Sequence, residues 1–293
     1  MRLSEQTTFR LGGECREWRV AATAREAADA LRDWTARGIP WRVMGGGSNL
    51  LVADGGIPEA VLQVKCGDAA LVPVPGEEGL FAVAAGAVLD DVAARAAEEG
   101  LEGLTFANGI PGTIGGGTAG NAGAWGKALG DVVECVEWVA PDGTVRMAGR
   151  DELAFGYRQS RVGALGGVLA TVWLRLARGD RGRLLEERAA ILAERAGKHP
   201  DWRKVRTAGS FFKNLPPAEP GGRRQAAGRL LEEAGAKAMR AGGARVFEKH
   251  ANILVAEEGA TAADVAELAR RLQAAVEARF GVRLEPEVRY WGV

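Results

Sequence analysis

The chain has 293 residues, 47% hydrophobic and 26% charged, which are the proportions of a globular protein with room for two or three domains. Its 38 basic and 38 acidic residues cancel, which excludes bulk attraction to nucleic acid and leaves any anionic ligand to a local cluster of cations. Cys15, Cys66 and Cys135 are odd in number and lack CxxC spacing, and no apolar run reaches membrane-spanning length, so a reduced, soluble, cytoplasmic protein without a disulfide framework or zinc site is expected.

In chain order, Thr23-Ala24-Arg25-Glu26 has the spacing of a capping box opening a helix, with Ala27, Ala30, Leu31 and Trp34 on one face and Gly38 closing it. Trp41–Met44 reads as a strand running into Gly45-Gly46-Gly47-Ser48-Asn49-Leu50-Leu51. A helix from Leu89 ends before Gly100, and a glycine-rich tract extends from Asn108 to Gly126. Val132–Ala140 and Thr144–Met147, joined by Pro141-Asp142-Gly143, form a hairpin, and Val168–Leu176 is a further strand. Beyond Arg178 come a charged helix at 181–197, a loop rich in proline and glycine at 216–222, and a long helix from Thr261 to Gly281 with Val265, Leu268, Leu272 and Val276 at helical spacing. Glu285–Tyr290 alternates as a strand would. The fold class expected is α+β.

Gly115-Gly116-Gly117-Thr118-Ala119-Gly120 satisfies the dinucleotide fingerprint formally, but no apolar strand leads into it and no clear helix is expected after it, so a Rossmann site is rejected. Glycines still permit close backbone approach and offer N–H groups to phosphate oxygens. Any one tract is accounted for as a tight turn. Three tracts interleaved with Ser48, Asn49, Thr113 and Asn121 point to a pyrophosphate-bearing cofactor.

Three polar clusters accompany the glycines. Ala208-Gly209-Ser210-Phe211-Phe212-Lys213-Asn214 sets a hydroxyl, a cation and an amide around an aromatic pair. The others are Tyr157-Arg158-Gln159-Ser160 and Glu285-Pro286-Glu287-Val288-Arg289. A serine hydrolase is disfavoured, because the only histidines are His199 and His250 and no G-x-S-x-G elbow occurs.

On these clusters and loops the chain resembles the UDP-N-acetylenolpyruvoylglucosamine reductase family from Thr7 to Gly292. The runs Gly45–Leu50, Gly109–Gly116 and Asn121–Gly126 match its FAD loops. The resemblance implies a vanillyl-alcohol-oxidase-type, PCMH-like FAD region in two parts, 1–60 and 61–180. A substrate-binding α/β domain at 181–284 follows, and a strand at 285–293 returns to the FAD region. It implies non-covalent FAD held by Gly45, Gly46, Gly47, Ser48, Asn49, Leu50, Asn108, Gly109, Ile110, Pro111, Gly112, Thr113, Gly115, Gly116, Gly120, Asn121 and Gly123. The implied reaction passes hydride from NADPH through FAD to the enolpyruvyl group of UDP-N-acetylglucosamine enolpyruvate, yielding UDP-N-acetylmuramate for peptidoglycan, on a monomer with no metal.

In that reaction charge builds beside a carboxylate and a proton must follow. Arg158 is the expected carboxylate clamp, because its fork matches two oxygens in one plane. Glu287, in an apolar setting that raises its pKa, hydrogen-bonds the developing dianion, and Ser210 donates the proton. Tyr157, Lys213, Asn214, Lys237 and His250 fall at substrate-contact positions, Asn252 at a neighbouring one, and Glu285 is assigned a structural role. Gln6 stands where the family usually has asparagine, Leu215 separates Asn214 from the expected proline, and Ala238 replaces a frequent glycine. No insertion carries an extra substrate-clamping tyrosine, which is the pattern of a compact subtype. A flavin oxidase on the same fold and a non-catalytic nucleotide-binding protein are the competing readings. The first often carries a covalent histidyl- or cysteinyl-linked flavin, and the absence of any histidine before residue 199 weighs against the histidyl form. The second has no need to keep Ser210, Arg158 and Glu287 together.

Overall fold

The structure is a computed structural model that describes residues 1–65, 68–219 and 221–293; Cys66, and Pro220 in the loop at 216–222, lie outside the described residues. The chain forms two compact units: Met1–Cys15, Gly47–Ile57 and Ala196–Val293 make one, and Arg16–Gly46 with Pro58–Arg195 make the other.

In the second of these, a parallel sheet has the order Trp18–Ala21, Ala60–Val64, Trp41–Met44. The helix Ala24–Ala36 connects its first and last strands. Thr23 Oγ1 accepts from Glu26 N at 3.2 Å and the Glu26 carboxylate accepts from Thr23 N at 3.2 Å, so the capping box forms as read. An antiparallel sheet has the order Val145–Gly149, Val133–Val139, Val168–Arg175, Leu80–Ala84, Val72–Pro73. The helix Leu89–Glu98 buries Leu89, Val92, Ala93 and Ala96, one face at helical spacing, in a core that also contains Val83, Ile114, Leu129, Val136 and Val172.

The glycine tract departs from the sequence reading. Ile114–Gly120 is a helix, capped by Thr113, whose Oγ1 accepts from Gly116 N. Glycine propensity argues against helix there. Packing overrides it, because a Cβ on Gly115 would meet the carbonyl oxygen of Ala85 at 3.0 Å and its Cβ at 2.8 Å.

In the other unit, a three-stranded antiparallel sheet of Arg240–Ala241, Ala244–Phe247 and His250–Ala256 packs with the helices Ala227–Glu233 and Ala262–Phe280. The longer helix buries Val265, Leu268, Ala269, Leu272 and Val276 as its spacing predicts, and it begins on Thr261 and ends on Gly281. Of Glu285–Tyr290, only the end becomes strand. Arg289–Trp291 pairs in parallel with Leu50–Val52, and Pro286, with no N–H to give a ladder, makes an isolated bridge opposite Phe212.

The units cut across the expected boundaries. Gly47–Ile57 and Met1–Cys15 group with the C-terminal region, while Arg181–Arg195 groups with the parallel and five-stranded sheets. The cause is long-range pairing: Leu50–Val52 finds its partner at the far end of the chain, and Gly13 N donates to Ala53 O at 2.9 Å. Among the described residues, no helix is long and apolar enough to cross a membrane.

Candidate active site

Ser210 sits at the start of a short extended segment flanked by two others. On one side it bridges Ile253, and Phe211 N donates to Asn252 O at 2.8 Å. On the other, Glu287 N donates to Phe211 O at 2.8 Å and Lys213 N to Glu285 O at 2.9 Å. Phe211 and Phe212 are fully buried and fix the segment. Phe211 meets the edges of Phe9 and Tyr290 with ring centroids 6.5 and 6.2 Å away. Asn252, 3% exposed, locks the register: its Oδ1 accepts from Phe212 N at 2.9 Å and its Nδ2 donates to Phe212 O at 2.8 Å. Its side chain therefore serves the backbone of the segment that carries Ser210. Asn49 does likewise from the glycine run, its Nδ2 donating to Glu287 O at 3.0 Å while its own carbonyl accepts from Arg289 N at 3.0 Å. Leu50 is buried in the strand beside it. Gly47 has φ +63°, and Thr8 N donates to its carbonyl, so this turn is tied to the N-terminal segment. Ser210 and Glu287 thus lie on neighbouring hydrogen-bonded segments, both half-buried.

Four further candidates lie in this unit. Lys213 pairs with Glu285 at 2.5 Å. Asn214 Oδ1 accepts from Ala227 N at 3.1 Å and its carbonyl accepts from Arg224 Nη2 at 2.8 Å, so it organises the start of the helix Ala227–Glu233. Lys237 is exposed and pairs with Glu232 at 2.5 Å. His250 Nδ1 accepts from Asn252 N at 3.2 Å, which leaves the proton of the neutral ring on Nε2. Burial holds its pKa below the ordinary imidazole value, and the ring of His199 lies 5.3 Å away.

Arg158 and Tyr157 belong to the other unit, at the tip of a turn closed by Gly156 N to Gln159 O at 3.0 Å and Gln159 N to Gly156 O at 3.2 Å. Arg158 has φ +53°, a conformation non-glycine residues rarely adopt, and its guanidinium carbon is 5.4 Å from the Tyr157 ring centroid. Both ends of the turn are anchored to the glycine helix. Asn121, at its C-cap, donates through Nδ2 to Gly156 O at 2.8 Å and accepts at Oδ1 from Gly130 N at 2.8 Å. Ser160 Oγ donates to Ala119 O at 2.9 Å.

The glycine tracts meet in this unit. A Cβ on Gly45 would lie 2.3 Å from Thr113 Oγ1, and one on Gly46 would lie 3.1 Å from Gly112 Cα, so backbone approaches backbone there. The amides of Gly115 and Gly116 are engaged within the fold, by Ala85 O and Thr113 Oγ1. Gly123 is packed against the Lys127 carbonyl in a short hairpin, and Gly120 closes the helix. At the other end of the tract, Ile110 packs partly buried on the core beside Pro111. Asn108 and Gly109 are held by residues that sequence reading missed: Asp90 Oδ1 accepts from Gly109 N at 2.8 Å and from Arg188 Nη1 at 2.7 Å, and Arg188 also donates to Asn108 Oδ1. Acidic residues in a first helical turn and basic residues on a charged helix are ordinary features, so neither partner carried a signal. The residues fit a flavin dinucleotide: two glycine loops meet backbone to backbone, and beside them the fully buried Thr118 Oγ1 has no protein partner among the described residues.

Comparison with known proteins agrees with this division of labour. Residues 19–149 match the FAD binding domain family, and residues 200–291 match the C-terminal domain of UDP-N-acetylenolpyruvoylglucosamine reductase. The chain is 38% identical over 292 residues to the UDP-N-acetylenolpyruvoylglucosamine reductase of Heliobacterium modesticaldum, covering 99% of this chain and 89% of that one. It is 40% identical over 292 residues to that of Moorella thermoacetica, covering 99% and 91%. The crystal structure of the corresponding reductase from Thermus caldophilus superimposes with a TM-score of 0.80 at 34% identity, covering 99% of this chain and 97% of that one. With its FAD-binding and C-terminal regions both matched and near-complete coverage at this identity, the chain belongs to the UDP-N-acetylenolpyruvoylglucosamine reductase family.

Proposed function

We propose that this chain reduces UDP-N-acetylglucosamine enolpyruvate to UDP-N-acetylmuramate with NADPH as hydride donor, a step of peptidoglycan precursor synthesis, and does so in the cytoplasm as a monomer. The observation that supports the mechanism is the main-chain bond from Glu287 N to Phe211 O, which puts Glu287 on the segment beside the one that carries Ser210. Bound FAD, held by Gly45, Gly46, Gly112 and Thr113, supplies the hydride relay between the two substrates.

This chain's residues handle the charge and the proton. Arg158, preset on its anchored turn, binds the enolpyruvyl carboxylate and stabilises the negative charge that grows there. Glu287 in its protonated form donates a hydrogen bond to the same charge. The Ser210 hydroxyl gives its proton to the carbon that carries the charge, and solvent returns one to the serine; the intermediate is basic enough for so weak an acid to serve. Lys213, Asn214, Lys237 and His250 hold or shape the nucleotide-sugar end. Lys213 and Lys237 keep glutamate partners that an arriving diphosphate displaces or shares.

Anaerobic stopped-flow absorbance tests the reading. The expected course is bleaching of the flavin by NADPH, then rapid recovery of colour on mixing with UDP-N-acetylglucosamine enolpyruvate. Recovery with oxygen alone supports a flavin oxidase instead, and a protein that retains no flavin removes the proposal.

A further inference from the structure

Arg195 differs from the other cations of its helix. Arg183 is paired with Glu102 and Glu187, Arg188 with Asp90, and Arg181 donates to the carbonyl of Glu98. The Nε of Arg195 is buried and has no hydrogen-bond partner among the described residues. Its stem lies on the glycine loop, where a Cβ on Gly109 would meet Arg195 Cδ at 2.8 Å. Its guanidinium carbon stands 5.0 Å from the centroid of the Trp125 ring, which fixes the fork without neutralising it. Burial opposes its charge, Asp90 and Glu194 favour it from a distance, and the positive field of Arg158 reaches it. An arginine does not give up its proton, so a held, desolvated donor beside a second guanidinium remains a cation in want of an anion.

We propose that Arg195 is an anion-binding residue of the reaction site, donating from Nε to an oxyanion of a ligand that sits on the Asn108–Thr113 loop. The inference rests on the reductase reading, which offers two sources of that oxyanion besides the FAD assigned to the same loop: the phosphates of the nicotinamide nucleotide and the carboxylate of the enolpyruvyl substrate. Gly109 is what lets the arginine approach the loop this closely.

The test is equilibrium binding to the FAD-loaded protein, followed by perturbation of the flavin visible spectrum, for wild type, Arg195→Lys and Arg195→Met. NADP⁺, NAD⁺, UDP-N-acetylglucosamine and its enolpyruvyl ether are titrated separately, and FAD content and Tm are measured alongside. We expect at least a tenfold rise in Kd for one anionic ligand with FAD content and Tm unchanged, and Arg195→Lys, which keeps charge but lacks Nε, falling between wild type and Arg195→Met. Weakening of NADP⁺ but not NAD⁺ identifies the extra phosphate. Weakening of the enolpyruvyl ether but not the parent sugar nucleotide identifies the carboxylate. Dissociation constants within twofold of wild type, or loss of FAD from both variants, overturn the inference alone. Wild-type protein that binds neither class of ligand overturns the reductase reading and this inference with it.

Discussion

The amide of Glu287 donates to the carbonyl of Phe211 at 2.8 Å, and the carbonyl of Glu287 accepts from the side chain of Asn49 at 3.0 Å. The carboxyl-bearing residue is therefore held through its backbone from two directions. Ser210 precedes Phe211 and is itself registered by its bridge to Ile253. A hydroxyl and a carboxyl are thus fixed by main-chain bonds that side-chain substitution does not remove.

Substituting Ser210 with alanine is accordingly expected to leave the fold intact. Flavin reduction by NADPH stays within about twofold of wild type, while reduction of the enolpyruvyl substrate slows by about 10²–10⁴-fold, the usual contribution of a positioned proton donor. Single-turnover measurement of each half-reaction checks this, and equal slowing of both removes Ser210 from the proton-donor role.

For Glu287, the proposed role is that of a protonated carboxyl donating a hydrogen bond. Glu287→Gln keeps a donor at the same reach, whereas Glu287→Asp withdraws it by one methylene. The glutamine variant is expected to retain roughly tenfold more activity than the aspartate variant, a difference of about 1.4 kcal/mol and so a part of what a well-placed donor contributes. The reverse order of kcat values counts against the protonated assignment.

Asn121 tests whether the Arg158 turn depends on its anchor. Removing the amide leaves Gly156 O and Gly130 N without their partner, a cost of about 1–3 kcal/mol. Asn121→Ala is expected to lower Tm by several degrees and kcat for enolpyruvyl reduction by about tenfold, while flavin reduction changes little. Ser160→Ala, which removes the bond to Ala119 O, has the same signature in weaker form. A variant that instead loses FAD assigns Asn121 to the cofactor.

Local structure was legible where one short segment decides it: the capping box at Thr23, the amphipathic faces of the helices Ala24–Ala36 and Ala262–Phe280, and the hairpin around Asp142 all form where the spacing places them. The helix Ile114–Gly120 was not, because its glycines disfavour helix locally and only their close packing on Ala85 requires it. The unit boundaries were not legible either, since they follow from Leu50–Val52 pairing with residues at the opposite end of the chain. In the site, Ser210 and Glu287 were named from local motifs, but their register was hidden. It depends on Asn252 and Asn49, polar residues whose side chains turn out to bond backbone.

Asp90 and Arg188 carry a prediction about cofactor retention. Their side chains are each 18% exposed and pair at 2.7 Å, while Asp90 also fixes Gly109 N. Asp90→Ala leaves a largely buried guanidinium without its counter-ion, which costs about 3–5 kcal/mol when burial is complete and less here. Apparent stability is expected to fall by about 2 kcal/mol and FAD to dissociate more readily, because the loop at 108–109 loses two tethers. Flavin content after dialysis and denaturant midpoints decide it; unchanged values for both place Gly109 outside the cofactor's support.

His250 gives a pH dependence with a defined sign. Burial depresses its pKa in the folded protein below the unfolded value near 6.5, so the unfolded chain binds the extra proton more readily. The stability associated with the neutral ring is complete above about pH 7. It is lost progressively as pH falls below about 6.5 toward the folded pKa. The same neutral ring accepts from Asn252 N, the residue that registers Phe212, so protonation disturbs the segment carrying Ser210. Wild type is therefore expected to lose Tm between pH 7 and pH 5 more steeply than His250→Gln, which does not titrate in that range. Parallel Tm profiles for the two proteins would mean that the ring titrates as freely when folded as when unfolded.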